Sequence, residues 1–183
     1  MAQINRPLQD PAIFAQLYEQ YHLAVFRFIY GLTGGPLHEV EDLTADTFLR
    51  AWKARGHFAG EPRAVLSWLL TIARHLVIDA ARRRKSHPDE QLCAELDDYQ
   101  QLLPVEAADS AEKQVIHHEQ VRALLHRLSD LPAERRELLV LRYMLGWRVN
   151  EIAAHLGMPE NTISVYLRRS LEQIRAHWPG EHG

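Results

Sequence analysis

The 183-residue sequence holds one cysteine, Cys93. An internal disulfide is excluded, and so is a zinc site built on several thiolates. A lone thiol fits a reducing cytoplasm. No run of about 18 apolar residues occurs, so no membrane span is expected. The opening MAQINRPLQD has no apolar stretch of signal-peptide length. Alternating apolar and polar segments that would read as strands are missing, as are internal repeats. No Gly-rich phosphate loop or nucleophile motif stands out. His117-His118-Glu119 is the obvious candidate metal cluster. Adjacent helical residues diverge by about 100°, so its two imidazoles do not easily face one ion. No catalytic residue, metal ligand or cofactor is expected, and an enzyme is disfavoured.

Hydrophobic residues make up 46% and charged residues 25%, the composition of an ordinary globular protein. The net charge of -3 looks unsuited to nucleic acid, but it is unevenly spread. Residues 1–85 carry net +3, residues 86–113 net -7 and residues 114–183 net +1. Local charge sets the field at a binding face.

Helical periodicity fills both ends of the chain, which predicts an all-α protein of two small helical domains joined by an acidic linker. A first helix is expected from Pro11 to Leu32, with Gly34-Gly35 as its stop. A second is expected from Pro36 to Arg55, closed by Gly56. Val40, Leu43, Thr47, Phe48, Ala51 and Trp52 form its apolar stripe; Glu39, Asp42, Asp46, Arg50 and Lys53 lie opposite. A loop over Gly56–Glu61 precedes a third helix from Pro62 to Lys85, which ends in Arg82-Arg83-Arg84-Lys85. Residues 86–110 read as the linker, with Pro88, Pro104 and scattered leucines. Further helices are expected over Ala111–Leu128, from Pro132 to Gly146, over Val149–Leu156 and over Pro159–Trp178.

The last two form a helix-turn-helix pattern. Ile152, Ala153 and Leu156 give a short first helix, Gly157 suits a left-handed turn, and Pro159 suits the start of the next helix. In that helix Ile163, Leu167, Leu171 and Ile174 face inward. The opposite face presents Glu160, Asn161, Thr162, Ser164, Val165 and Arg168, with Arg169 at its edge. Such a helix enters a major groove with its N-terminal residues on base edges. Asn and Arg make bidentate base contacts, and Ser and Thr suit phosphates or bases. A helical hairpin with a solvated polar face is the plainer alternative.

The segment PAERRELLVLRYMLGWRVNEIAAHLGMPENTISVYLRRSLEQIR resembles region four of the extracytoplasmic-function (ECF) sigma factors, within the sigma-70 family. DLTADTFLRAWKAR, followed by SWLLTIARHLVIDAARRRK, resembles region two of the same family. The resemblance implies a subunit of bacterial RNA polymerase that selects promoters. Residues 1–85 would be region two, which binds the polymerase clamp and the minus-ten element. Residues 86–110 would be the linker. Residues 111–183 would be region four, which binds the beta-subunit flap and the minus-thirty-five element. An anti-sigma factor is the implied regulatory partner. A stand-alone helix-turn-helix regulator is the alternative.

The resemblance also assigns roles. The clamp-binding face maps onto Asp42, Asp46 and Arg50; a solvated face with weak intrahelical pairs is the plain reading of those charges. The loop His57–Glu61, with Phe58, corresponds to one that captures an unstacked base. The same ring serves equally well as a plug between helices. Arg63, Arg74 and His75 follow in the adjoining helix, with Arg74 the better candidate for a phosphate or base contact. Trp68 is expected in the core, and His75 stands where the family often has Asn. Arg82, Arg83, Arg84 and Lys85 would face duplex phosphates. Positions 164 and 166 are often basic in the family; here they are Ser164 and Tyr166, and Asn161 replaces a common Gly. The acidic linker matches the family's connector through the active-site cleft, or is a plain tether.

Overall fold

The structure is a computed structural model that describes residues 7–61, 64–86, 127–128 and 130–176. Among the described residues every regular element is helical. The chain divides into two compact units, Met1–Glu95 and Leu96–Gly183, each treated by itself.

The first unit opens with a 3-10 turn, Pro7–Gln9, which buries Leu8. Helix α1 spans Pro11–Thr33. The Asp10 side chain accepts from the Ala12 N–H at 2.8 Å, satisfying one of the free donors of the first turn. Gly34, at φ 56°, ends the helix and donates to the Tyr30 carbonyl at 2.8 Å. That is the left-handed position where glycine carries no Cβ penalty.

Helix α2 spans Leu37–Ala54 behind Pro36. Its apolar stripe is buried through Val40, Leu43, Phe48 and Ala51. Thr44 and Thr47 join the stripe because their hydroxyls donate to the Val40 and Leu43 carbonyls, each at 2.7 Å, which removes the cost of burying them. Phe14 meets Trp52 edge-on at 5.0 Å, and Tyr18 meets Phe48 at 4.8 Å. The opposite order of these contacts along the two helices makes α1 and α2 antiparallel.

Helix α2 does not reach Arg55, and Gly56 does not stop the coil. A 3-10 turn follows over Arg55–His57. The Arg55 guanidinium folds back, donates to the Trp52 carbonyl and lies 3.5 Å from the centre of the Trp52 ring. That return contact tightens the last turn. Helix α3 spans Val65–Ser86 and buries Val65, Leu69, Leu70, Ala73 and Leu76 against α1 and α2. The expected start at Pro62 lies outside the described residues.

In the second unit α4 spans Ala133–Leu139. It does not run on as α-helix to Gly146: Val140–Met144 forms a π turn. Leu145 N–H reaches the Val140 carbonyl at 3.1 Å and Trp147 N–H the Leu141 carbonyl at 3.0 Å. Leu138, Leu139, Val140 and Leu141 are all buried, so the wider turn keeps four successive apolar residues in the core. Helix α5 spans Val149–Leu156 and α6 spans Glu160–Ala176. Ile152, Ala153, Ile163 and Leu167 close the core. Of the helix expected over Ala111–Leu128, only its last two residues are described.

Arg136 ties the entry of this unit together. Its Nε donates to the Leu128 carbonyl at 2.8 Å and its Nη2 to the Leu131 carbonyl at 3.2 Å. Burial pushes the guanidinium below its usual value, and the nearby Asp130 carboxylate opposes that shift. The group stays charged at neutral pH and satisfies carbonyls at a helix end.

Candidate nucleic-acid interface

The α5–α6 pair is set by backbone chemistry. Glu151, in the first turn of α5, accepts from the Arg148 N–H at 2.6 Å. This is the carboxylate half of a capping box; Arg148 has no acceptor to complete it. Gly157, at φ 65° and ψ 32°, makes the turn. The Met158 N–H then bonds the Ala153 carbonyl at 3.1 Å, a closing bond of the Schellman kind.

Helix α6 buries Ile163, Leu167 and Ser170, with Ile174 half-buried on the same line. Its outer side exposes Glu160, Asn161, Ser164, Arg168 and Arg169, while Thr162 and Val165 are half-buried. Arg168 lies 3.9 Å from Glu172, with 70% and 64% of the two side chains exposed. Tyr166 is not on this outer side. It is half-buried, and the Arg135 guanidinium of α4 stands 5.9 Å from its ring centre. Arg135 and Glu172 were not singled out by the sequence. The four-residue spacing of Arg168 and Glu172 was the available signal for that pair, whereas the approach of Arg135 to Tyr166 shows only once α4 is placed beside α6.

In the first unit Asp42, Asp46 and Arg50 are exposed along one side of α2. Leu49, 50% exposed, shares that side and was missed by the sequence reading. Its place on the stripe, seven residues after Asp42, was the available signal.

His57 is exposed at the end of its 3-10 turn. Phe58 is buried, only 8% exposed, with its ring 4.9 Å from that of Trp68. Of the two roles open for Phe58, this burial is what the plug role requires. A Cβ on Gly60 would lie 2.7 Å from Phe58 Cζ, so the loop closes tightly over the ring. On α3, Arg74 is half-buried, whereas His75, Arg82 and Arg83 are exposed. Arg63 and the side chain of Arg84 lie outside the described residues. No group of three or more His, Cys, Asp or Glu able to hold a metal occurs among the described residues, and no described helix is long and apolar enough to cross a membrane.

The chain matches the family descriptions "Sigma-70 region 2" over residues 17–87 and "Sigma-70, region 4" over residues 121–174. It is 32% identical over 168 residues to the ECF RNA polymerase sigma factor BldN of Streptomyces coelicolor, covering 92% of this chain and 61% of that protein. It is 28% identical over 170 residues to the ECF RNA polymerase sigma factor SigX of Bacillus subtilis, covering 90% of this chain and 82% of that one. Two solved structures share the fold. One is the sigma factor RpoE in complex with the anti-sigma factor NepR from Bartonella quintana, with TM-score 0.65, 22% identity and coverage of 89% of this chain and 94% of that one. The other is CnrH in complex with the cytosolic domain of CnrY, with TM-score 0.64, 21% identity and coverage of 95% and 96%. Two regional matches in family order, together spanning most of the chain, place it in the sigma-70 family, among the ECF sigma factors.

Proposed function

We propose that this protein directs core RNA polymerase to specific promoters and starts transcription there, as an ECF sigma factor. Residues 1–85 act as region two, 86–110 as the linker and 111–183 as region four. The observation that carries the reading is the pairing of a helix-turn-helix having a polar outer face with a separate three-helix unit that bears the region-two match. A stand-alone helix-turn-helix regulator has no use for that second unit.

The division of labour follows from the surfaces. Asp42, Asp46 and Arg50 offer the clamp a mixed-charge face that selects partner and orientation. His57, Arg63, Arg74 and His75 approach the minus-ten element, and Arg82, Arg83 and Arg84 bind phosphates in a salt-dependent way. Phe58 supports the loop between them from inside. Glu160, Asn161, Thr162, Ser164, Val165, Arg168 and Arg169 face the minus-thirty-five duplex, while the flap binds elsewhere on region four. The protein acts by binding alone, with no catalytic group of its own, in the cytoplasm. An anti-sigma factor holds it inactive, by analogy with the partners named for the two structural neighbours.

Reconstitution tests this directly. Purified protein is added to bacterial core polymerase, and run-off transcripts are mapped over the source genome. Specific start sites that vanish without the protein are expected. Failure to bind core, or transcripts identical to those of core alone, would overturn the reading.

A further inference from the structure

The recognition helix α6 is poorly charged for its task. Over Glu160–Ala176 its exposed charged residues are Glu160, Arg168, Arg169, Glu172 and Arg175, a net of only +1, with Arg175 in the last turn, away from the N-terminal end that meets bases. Arg168 is also paired with Glu172. Duplex DNA is bound largely through its phosphates, and the salt-dependent part of that affinity comes from cations.

One more cation is held at this helix, by α4 rather than by α6. Tyr166 and Gln173 are seven residues apart and line one flank of α6, between the buried line of Ile163 and Leu167 and the outer side. Arg135 lies over that flank: its guanidinium is 5.9 Å from the Tyr166 ring centre, and its Nη1 donates to Gln173 Oε1 at 3.5 Å. It is half-buried, and among the described residues no carboxylate pairs with it. A neutral aromatic face and a neutral amide fix the direction of the guanidinium without cancelling its charge. When a recognition helix sits in a major groove, its flanks run beside the sugar-phosphate strands.

We propose that Arg135 is a phosphate-contacting residue, with Tyr166 and Gln173 positioning it at the flank of the recognition helix. This rests on the reading of α5–α6 as the duplex reader.

The test uses holoenzyme assembled from the full-length protein and core polymerase. Duplexes that it binds are selected from a random-sequence library. Affinity for a selected duplex and a scrambled one is then measured between 50 and 200 mM salt, about the range over which phosphate contacts show. Arg135→Gln is expected to weaken binding to both duplexes by a similar factor, roughly tenfold for one lost charge-assisted contact. It should also flatten the log–log salt slope by about 0.9. Arg135→Lys should keep the slope and lose part of the affinity, because an ammonium lacks the planar fork that reaches the Tyr166 ring and Gln173 together. Tyr166→Leu should lower affinity with Arg135 still present. An unchanged slope with Arg135→Gln overturns the proposal, including the case where melting temperature falls and the slope holds, since Arg135 would then only pin α4 to α6. If wild-type holoenzyme selects no duplex at all, the promoter reading itself has failed.

Discussion

Truncation of Phe58 to alanine separates the two roles open to its ring. The ring is 8% exposed, lies 4.9 Å from Trp68, and has Gly60 packed so closely that an added methyl would meet Phe58 Cζ at 2.7 Å. Removal leaves a cavity between the loop and Trp68. Such Phe→Ala changes cost about 3–5 kcal/mol. In a unit of this size each kcal/mol moves the melting temperature by about 4–8 °C, so a drop of at least about 12 °C is expected. Thermal unfolding of the full chain, followed by near-UV circular dichroism, measures it. Phe58→Leu keeps most of the volume and should cost about 1–2 kcal/mol. Folded Phe58→Leu holoenzyme should open promoter DNA as wild type does at low temperature, read by permanganate reactivity of unpaired thymines. The plug reading is refuted if Phe58→Ala stays within about 2 °C of wild type, under half the shift expected for 1 kcal/mol, while promoter opening is lost. Phe58 would then be a stacking surface for a melted base.

Three further outcomes follow from the same kind of reasoning. Arg136→Ala removes donors from the Leu128 and Leu131 carbonyls and should destabilise the second unit by about 1.5–3 kcal/mol in chemical denaturation, with Arg136→Lys recovering only part, because one ammonium cannot replace the fork. Gly157→Ala puts a Cβ on a residue at φ 65° and should cost about 1–2 kcal/mol, while Gly157→Asn costs less; equal stability of all three would contradict the turn geometry. Arg168→Ala should weaken duplex binding yet change stability by less than about 0.5 kcal/mol, since its ion pair with Glu172 is exposed; unchanged promoter affinity would mean that α6 presents a different side to DNA.

The elements that local chemistry determines were legible in the sequence. Val149–Leu156 matches its expected span to the residue, because Gly157 supplies a stop that no other residue type makes as easily. The end of α1 at Gly34 was legible for the same reason. The π turn was not. Leu138 to Leu141 is a continuous apolar run, and a run of four fits a wide turn as well as a normal one, so periodicity says nothing about the inserted residue. The 3-10 turn after Ala54 was hidden because it depends on where the Arg55 guanidinium goes. Glu137 shows the same limit: a charged residue in α4 that is 3% exposed is invisible to a rule that sends charges outward. At the candidate interface the polar positions of α6 were readable from spacing. Which of its two roles the Phe58 ring takes was not, since that depends on how the loop packs on Trp68, and neither was the arrival of Arg135 at Tyr166, a contact between two separate helices.

The outer side of α2 illustrates how structure changes the weight of a sequence pattern. Asp42, Asp46 and Arg50 stand four residues apart in succession, the spacing at which Asp46 and Arg50 can pair along a helix. A purely solvated face would be expected to use that option. Among the described residues neither Asp42 nor Asp46 forms an ion pair with Arg50, whereas Arg127–Asp130 and Arg168–Glu172 in the other unit do use such spacing. Asp42, Asp46 and Arg50 are exposed and not paired with one another, and Leu49 stands half exposed among them. An isolated exposed leucine is ordinary on any protein surface. An apolar residue ringed by unpaired charges of both signs has instead the make-up of a partner interface, with a small dry centre and a polar rim. That composition suits the proposed clamp-binding face, and the proposal then takes in Leu49 beside Asp42, Asp46 and Arg50.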